Sequence, residues 1–172
     1  MTSTSFKVLM PGISVALLTL LAALPWGLPS EARFFLPLLP YTAIHFWAVR
    51  RPGLMPEWLV FVSGLATDVL THGPLGFWSL VFLLGYILVG ISRWPADRGA
   101  AGRWLHFCAT LLVLSLAQWL IASAYFMDAV DWQPLLRSAF AACLVYPVIG
   151  LLFRPLNRFW LRPENSSLVR GV

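Results

Sequence analysis

A chain of 172 residues is the length of one folding unit, and with 59% hydrophobic and 11% charged positions it lies far from the roughly one-quarter charged balance of soluble domains. Its mean hydropathy of +0.78 excludes an ordinary soluble domain and predicts a membrane protein. The formal net charge of +5 does not point to nucleic acid, because the arginines flank apolar runs instead of gathering on one soluble face.

The first apolar run, residues 8–24, follows Lys7. It exceeds the ~7–15 residues of a secretory signal core, and Pro25, Trp26 and Gly27 stand where small cleavage-site residues would be needed, so it is read as a retained span. Further runs cover 34–49, 58–71, 75–92, 104–126 and 135–153, separated by segments rich in proline, glycine and charge. The expectation is an all-α integral membrane protein, a single transmembrane domain over 1–172 with six transmembrane helices and a basic tail, 154–172. The sequence has no internal repeat and no heptad run.

Sidedness follows from the basic residues. Lys7, Arg50, Arg51, Arg93, Arg98, Arg103 and the tail arginines Arg154, Arg158, Arg162 and Arg170 fall on one side of the alternating runs; Arg33 and Arg137 fall on the other. The positive-inside rule then places both termini in the cytoplasm. Trp26, Trp47, Trp58, Trp94, Trp104, Trp132 and Trp160 lie near segment ends, where the headgroup level suits an amphipathic ring. Cys108 and Cys143 sit inside apolar runs and are expected to behave as small core hydrophobes.

The third run carries an aspartate. At helical spacing Gly64, Thr67, Asp68, Thr71 and His72 share one face, while Val60, Phe61, Val62, Leu65, Val69 and Leu70 fall mostly elsewhere. Small and hydroxyl-bearing residues allow close approach and hydrogen bonding between helices, so this stripe is expected to face protein. Asp68 is about 7 Å from the end of its helix at ~1.5 Å per residue, close enough for partial hydration. Gly73 and Pro74 leave room only for a tight hairpin into the fourth run, with Gly73 suited to a left-handed cap. Gly76 and Ser79 are expected to permit close approach at the start of that partner. Candidate partners for Asp68 are the backbone amides of the fourth helix, Ser115 and Gln118 of the fifth, and His72. Its role is read either as a site for proton relay, ion binding or catalysis, or as a polar clamp on the hairpin. A lone carboxyl group lacks the second titrating group that acid–base chemistry uses, which favours the clamp.

No phosphate-loop, dinucleotide, zinc-protease, CxxC or nucleophile-elbow signature occurs, so no catalytic, cofactor or metal residues are assigned. His45, His72 and His106 are scattered without ligand-type spacing. Asp128 and Asp131 read as solvated loop acids in preference to a cation site. Arg154, Arg158 and Arg162 recur every four residues beside Leu156, Phe159 and Trp160, the pattern of a short interfacial helix holding anionic lipid, a cytoplasmic partner, or simply the topology. Asn165 begins a glycosylation sequon that a cytoplasmic tail would not expose to the glycosylation machinery.

The stretch GLATDVLTHGPLG resembles the most recognisable part of the MreD family of rod shape-determining proteins, through Gly64, Leu65, Asp68, Gly73 and Gly76. The late Tyr146-Pro147 and the number of runs are also similar. The resemblance implies a non-enzymatic bacterial inner-membrane scaffold, possible as a homo-oligomer, that works with MreC, the MreB filament and the peptidoglycan synthases of elongation. It further implies a fold similar to the substrate-binding subunits of energy-coupling-factor vitamin transporters. That similarity supplies the main alternative, a small-molecule binding subunit. A third reading, an intramembrane enzyme pairing Asp68 with His72, rests on their i, i+4 spacing.

Overall fold

Proline and glycine punctuation decides where the helices begin and end. In the computed structural model residues 2–24, 26–27, 35–92 and 99–160 are described, with side chains from residue 9 to 155 within them. Pro25, Arg33, Phe34, Arg93, Trp94, Arg98, Arg162, Asn165 and Arg170, and the side chains of Lys7, Leu156, Arg158, Phe159 and Trp160, lie outside the described residues. The described residues form six α-helices and no strand: α1 Thr2–Ala23, α2 Leu38–Arg50, α3 Glu57–Thr71, α4 Phe77–Ser92, α5 Ala100–Phe126 and α6 Gln133–Trp160, with a 3-10 turn at Pro52–Leu54.

Among these, Ala100–Phe126 and Gln133–Pro155 are long and apolar enough to cross a membrane; Leu9–Ala23 and Phe77–Ser92 are apolar but shorter. Successive helices alternate in direction. Ala23, Pro37, Thr71, Phe77, Phe126 and Pro134, each at or next to a helix end, line one cavity at one end of the bundle. Arg50, Arg103 and Arg154, which the basic-residue count put on a common side, line a second pocket at the other.

The centre of the bundle is α2. It begins at Leu38, later than the apolar run suggests, because Pro37 occupies its N-cap; Pro40 is tolerated in the first turn, where amides have no intrahelical partner. It stops at Arg50 because Arg51, preceding Pro52, is driven out of the helical region to φ −146°, ψ 66°. Every residue from Leu38 to Val49 is buried, packed between α1, α4 and α6. At 13 residues, about 20 Å, α2 is short against a ~30 Å hydrocarbon layer. Protein packs against α2 along its whole length. Trp47, expected at the headgroup level, is instead 1% exposed. Its indole donates to Ser14 Oγ at 2.8 Å and its ring stacks on Phe153, so it ties α1 and α6 to the centre.

Around this centre the outer helices show one buried stripe each. On α5 it is His106, Phe107, Thr110, Leu111, Leu114 and Gln118; on α6 it is Ser138, Ala139, Ala142, Tyr146, Ile149 and Phe153. The opposite faces expose Leu112, Leu116, Leu120, Phe140, Leu144 and Leu152. Cys108 and Cys143 are half-buried, not core, and their thiols meet across the α5–α6 contact.

Two prolines inside α6 leave it continuous through Trp160, so Arg154 and Arg158 extend this helix in place of a separate interfacial one. Pro147 lacks the amide that would bond the Cys143 carbonyl four residues back. The Trp104 indole of α5 supplies the missing donor at 2.8 Å.

Gly85 of α4 is one point of close approach. A Cβ there would meet the Tyr41 ring and would lie 2.8 Å from Leu114 Cδ1. Gly85→Val is therefore expected to destabilise the bundle by about 1–3 kcal/mol, read as a lower unfolding midpoint in detergent, whereas Gly90→Val, where a Cβ meets nothing, leaves it near wild type.

Candidate functional site

The α3–α4 hairpin is built around an acid that serves the next helix. Asp68 is fully buried. Its Oδ2 accepts the Gly76 amide at 2.8 Å and its Oδ1 accepts the Trp78 amide at 2.9 Å. Gly76 is the residue whose carbonyl accepts the first helical bond of α4, from the Leu80 amide at 2.9 Å. A glycine in that position has no side chain with which to cap the helix, so the cap arrives from the preceding helix. The amino end of the α4 dipole adds a favourable field for the acid. Of the partners considered, the backbone amides are the ones used. Ser115 Oγ bonds the Leu111 carbonyl of its own helix, and His72 is exposed at the hairpin tip.

The turn that brings these groups together differs by one residue from expectation. His72, not Gly73, takes the left-handed conformation, φ 56° and ψ 32°. The Gly73 amide bonds the Asp68 carbonyl at 3.0 Å and the His72 amide bonds that of Val69 at 3.4 Å, the paired pattern of a Schellman cap. Asp68 thus closes the end of its own helix with its carbonyl and opens the next with its side chain. The left-handed glycine of the hairpin is Gly76, at φ +93°. A Cβ there meets nothing, so its conformation, not its small size, is what the turn requires.

Close approach is the role of Gly64. A Cβ on it would strike the Ser79 backbone and lie 2.8 Å from the Trp78 carbonyl carbon. Ser79 Oγ donates to the Phe61 carbonyl at 3.2 Å, a second bond across the hairpin. Gly64, Thr67 and Asp68 are buried, Thr71 is half-buried, and Leu65 is exposed. The threonine hydroxyls do not bridge helices. Thr67 Oγ1 donates to the Ser63 carbonyl and Thr71 Oγ1 to that of Thr67, both four residues back on α3.

A polar chain that spacing did not reveal runs through the opposite half of the bundle. His45 Nδ1 lies 2.9 Å from the Tyr146 hydroxyl and His45 Nε2 lies 3.0 Å from His106 Nδ1. His106 Nε2 in turn lies 2.7 Å from Ser92 Oγ. Ser92 Oγ donates to the Val89 carbonyl at 2.9 Å. With that hydroxyl proton committed, the assignment that gives each pair one donor runs from Tyr146 through His45 and His106 to Ser92. Four helices are joined by it. The signal available in sequence was that His45 and His106 each stand in an apolar run, where a polar ring requires a partner.

Elsewhere, Asp128 Oδ1 accepts the Ala129 amide and Asp131 Oδ1 accepts the Gln133 amide at the start of α6, so both loop acids are occupied in local backbone turns. Among the described residues no three His, Cys, Asp or Glu converge as a metal site. Of the tail arginines, Arg154 is exposed on α6 and lines the basic pocket; the Arg158 side chain and Arg162 lie outside the described residues. The cavity at the other end measures about 1010 Å3. It is lined in part by Trp26, His72, Trp78, Gln118 and Tyr125. Gln118 is 2% exposed and its Nε2 has no hydrogen-bond partner among the described residues.

Comparison with protein-family models, curated proteins and solved structures gives no match for this chain.

Replacing Asp68 with leucine would strand the buried Trp78 amide, at about 1–3 kcal/mol, and the partly buried Gly76 amide at somewhat less. Asp68→Asn, with one carbonyl oxygen to offer, is expected to fall between leucine and wild type, and unfolding in detergent gives the ranking. By the same measurement Gly64→Ala is expected to be far more damaging than Gly73→Ala, whose Cβ would only touch Thr71 Oγ1 at 3.6 Å.

Proposed function

We propose that the chain is a non-enzymatic, multi-pass membrane scaffold of the bacterial inner membrane. Within that class it is read as an MreD-like component of the cell-elongation machinery, holding MreC and, through it, the MreB filament and the peptidoglycan synthases. The observation that carries this reading is the hairpin of Gly64, Asp68, Gly73 and Gly76. There the intramembrane acid is spent on capping a helix, and a rigid two-helix unit results. The exposed apolar faces of α5 and α6 support it, because such surface is suited to acyl chains or to partner helices. All six helices cross the bilayer in this reading, with the short α2, α3 and α4 shielded by their neighbours.

Two measurements test it. Extraction in mild detergent is expected to co-purify the chain with MreC, and a chain carrying Asp68→Leu is expected to recover less of the complex. Depletion in a rod-shaped host is expected to round the cells, and normal rod growth would overturn the proposal.

The large cavity favours a second reading, a small-molecule binding subunit. Its volume is that of a ligand site, mostly apolar with a few polar groups, and the unpaired Gln118 amide offers a donor to an occupant. A stoichiometric small molecule found by native mass spectrometry of the purified protein would favour this reading over the scaffold.

A further inference from the structure

Three arginines from three helices converge at the end of the bundle opposite the large cavity. Arg50 closes α2, Arg103 lies in the first turn of α5, and Arg154 lies near the end of α6. Together with Trp104, Tyr146 and Gly150 they line a pocket of about 170 Å3, well above the ~10–15 Å3 that a single water needs. The Arg50 guanidinium is half-buried and held 3.8 Å above the centre of the Phe46 ring. Arg103 and Arg154 are close enough to act electrostatically on it, so three like charges are gathered in one place. Arg103 is engaged in a further contact of its own.

The other donors at the rim are committed. The Trp104 indole bonds the Cys143 carbonyl, and the Tyr146 hydroxyl pairs with His45. What the pocket offers an occupant is guanidinium, which selects an oxyanion with several acceptor atoms, as a phosphate ester has. The surface beside it is apolar. Leu105, Leu144, Val148 and Leu151 stand exposed on α5 and α6, leading away from the pocket along the helices. A basic pocket over an apolar ramp matches a molecule with a charged head and greasy tails better than it matches free phosphate.

We propose that this pocket holds the phosphate-bearing headgroup of an anionic phospholipid, whose acyl chains lie along the exposed face of α5 and α6. The site binds one lipid in a fixed position, and so differs from the diffuse attraction of a basic tail for an acidic membrane surface. It requires the chain to reside in a bilayer and is independent of whether the scaffold or the ligand-binding reading holds.

The test is lipid retention by the full chain. Protein reconstituted in nanodiscs of mixed phosphatidylglycerol and phosphatidylcholine, then released for native mass spectrometry, is expected to keep phosphatidylglycerol in preference. The double variant Arg50→Gln, Arg154→Gln is expected to lose roughly thirtyfold in that preference. The corresponding double lysine variant, which keeps the charge, is expected to recover part of it, and Arg137→Gln at the opposite end is expected to behave as wild type. Wild-type retention by a double glutamine variant with an unchanged helical spectrum would overturn the proposal. So would equal retention of the two lipids, or saturable binding of inorganic phosphate in lipid-free detergent with no lipid preference.

Discussion

An acid delivered to the amino end of a neighbouring helix solves two problems with one side chain. The first amides of any helix lack intrahelical partners, and inside an apolar bundle water is not at hand to serve them. A carboxyl group in the same surroundings is costly unless donors surround it. Asp68 and the amides of Gly76 and Trp78 cancel each other's deficits. The spacing of the hairpin follows from that contact. The helix must end soon after the acid, the chain must reverse through left-handed residues, and the next helix must start with its amides facing back. Gly64 sets how near the two helices come, because the Ser79 backbone occupies the space that a side chain would fill.

The same logic recurs wherever this fold breaks regular structure. Pro147 removes a donor from α6, and Trp104 on α5 restores it to the orphaned carbonyl. His45 and His106 are polar rings in the core, and each has a partner from another helix. In each case a defect in one helix becomes the attachment point of another. Helix order and relative rotation are thereby specified in a core whose apolar side chains would accept many arrangements.

Much of this architecture was legible in the sequence. The six apolar runs, bounded by proline and glycine, coincide with the six helices to within a few residues at most ends, and the 3.6-residue period placed Gly64, Thr67 and Asp68 on the buried face. The misses have a common cause. Composition cannot show that His72 would take the left-handed position beside an available glycine, because hairpin closure overrides the intrinsic preference. A tryptophan near a segment end reads as interfacial, yet Trp47 is buried because α2 is enclosed on all sides. The pairing of His45 with His106, and the meeting of Arg50, Arg103 and Arg154, join residues far apart in the chain, and single-helix periodicity carries no information about such contacts.

The enclosure of α2 bears on how the chain reaches its folded form. This helix emerges second during synthesis, but its walls include α4 and α6, and α6 is the last helix made. Until the later helices arrive, His45 lacks the partners that they give it, His106 on α5 and Tyr146 on α6. The core around α2 is complete only once the carboxyl-terminal helix is in place. A chain ending before α6 would be missing one wall of its own centre and would leave His45 without the Tyr146 hydroxyl.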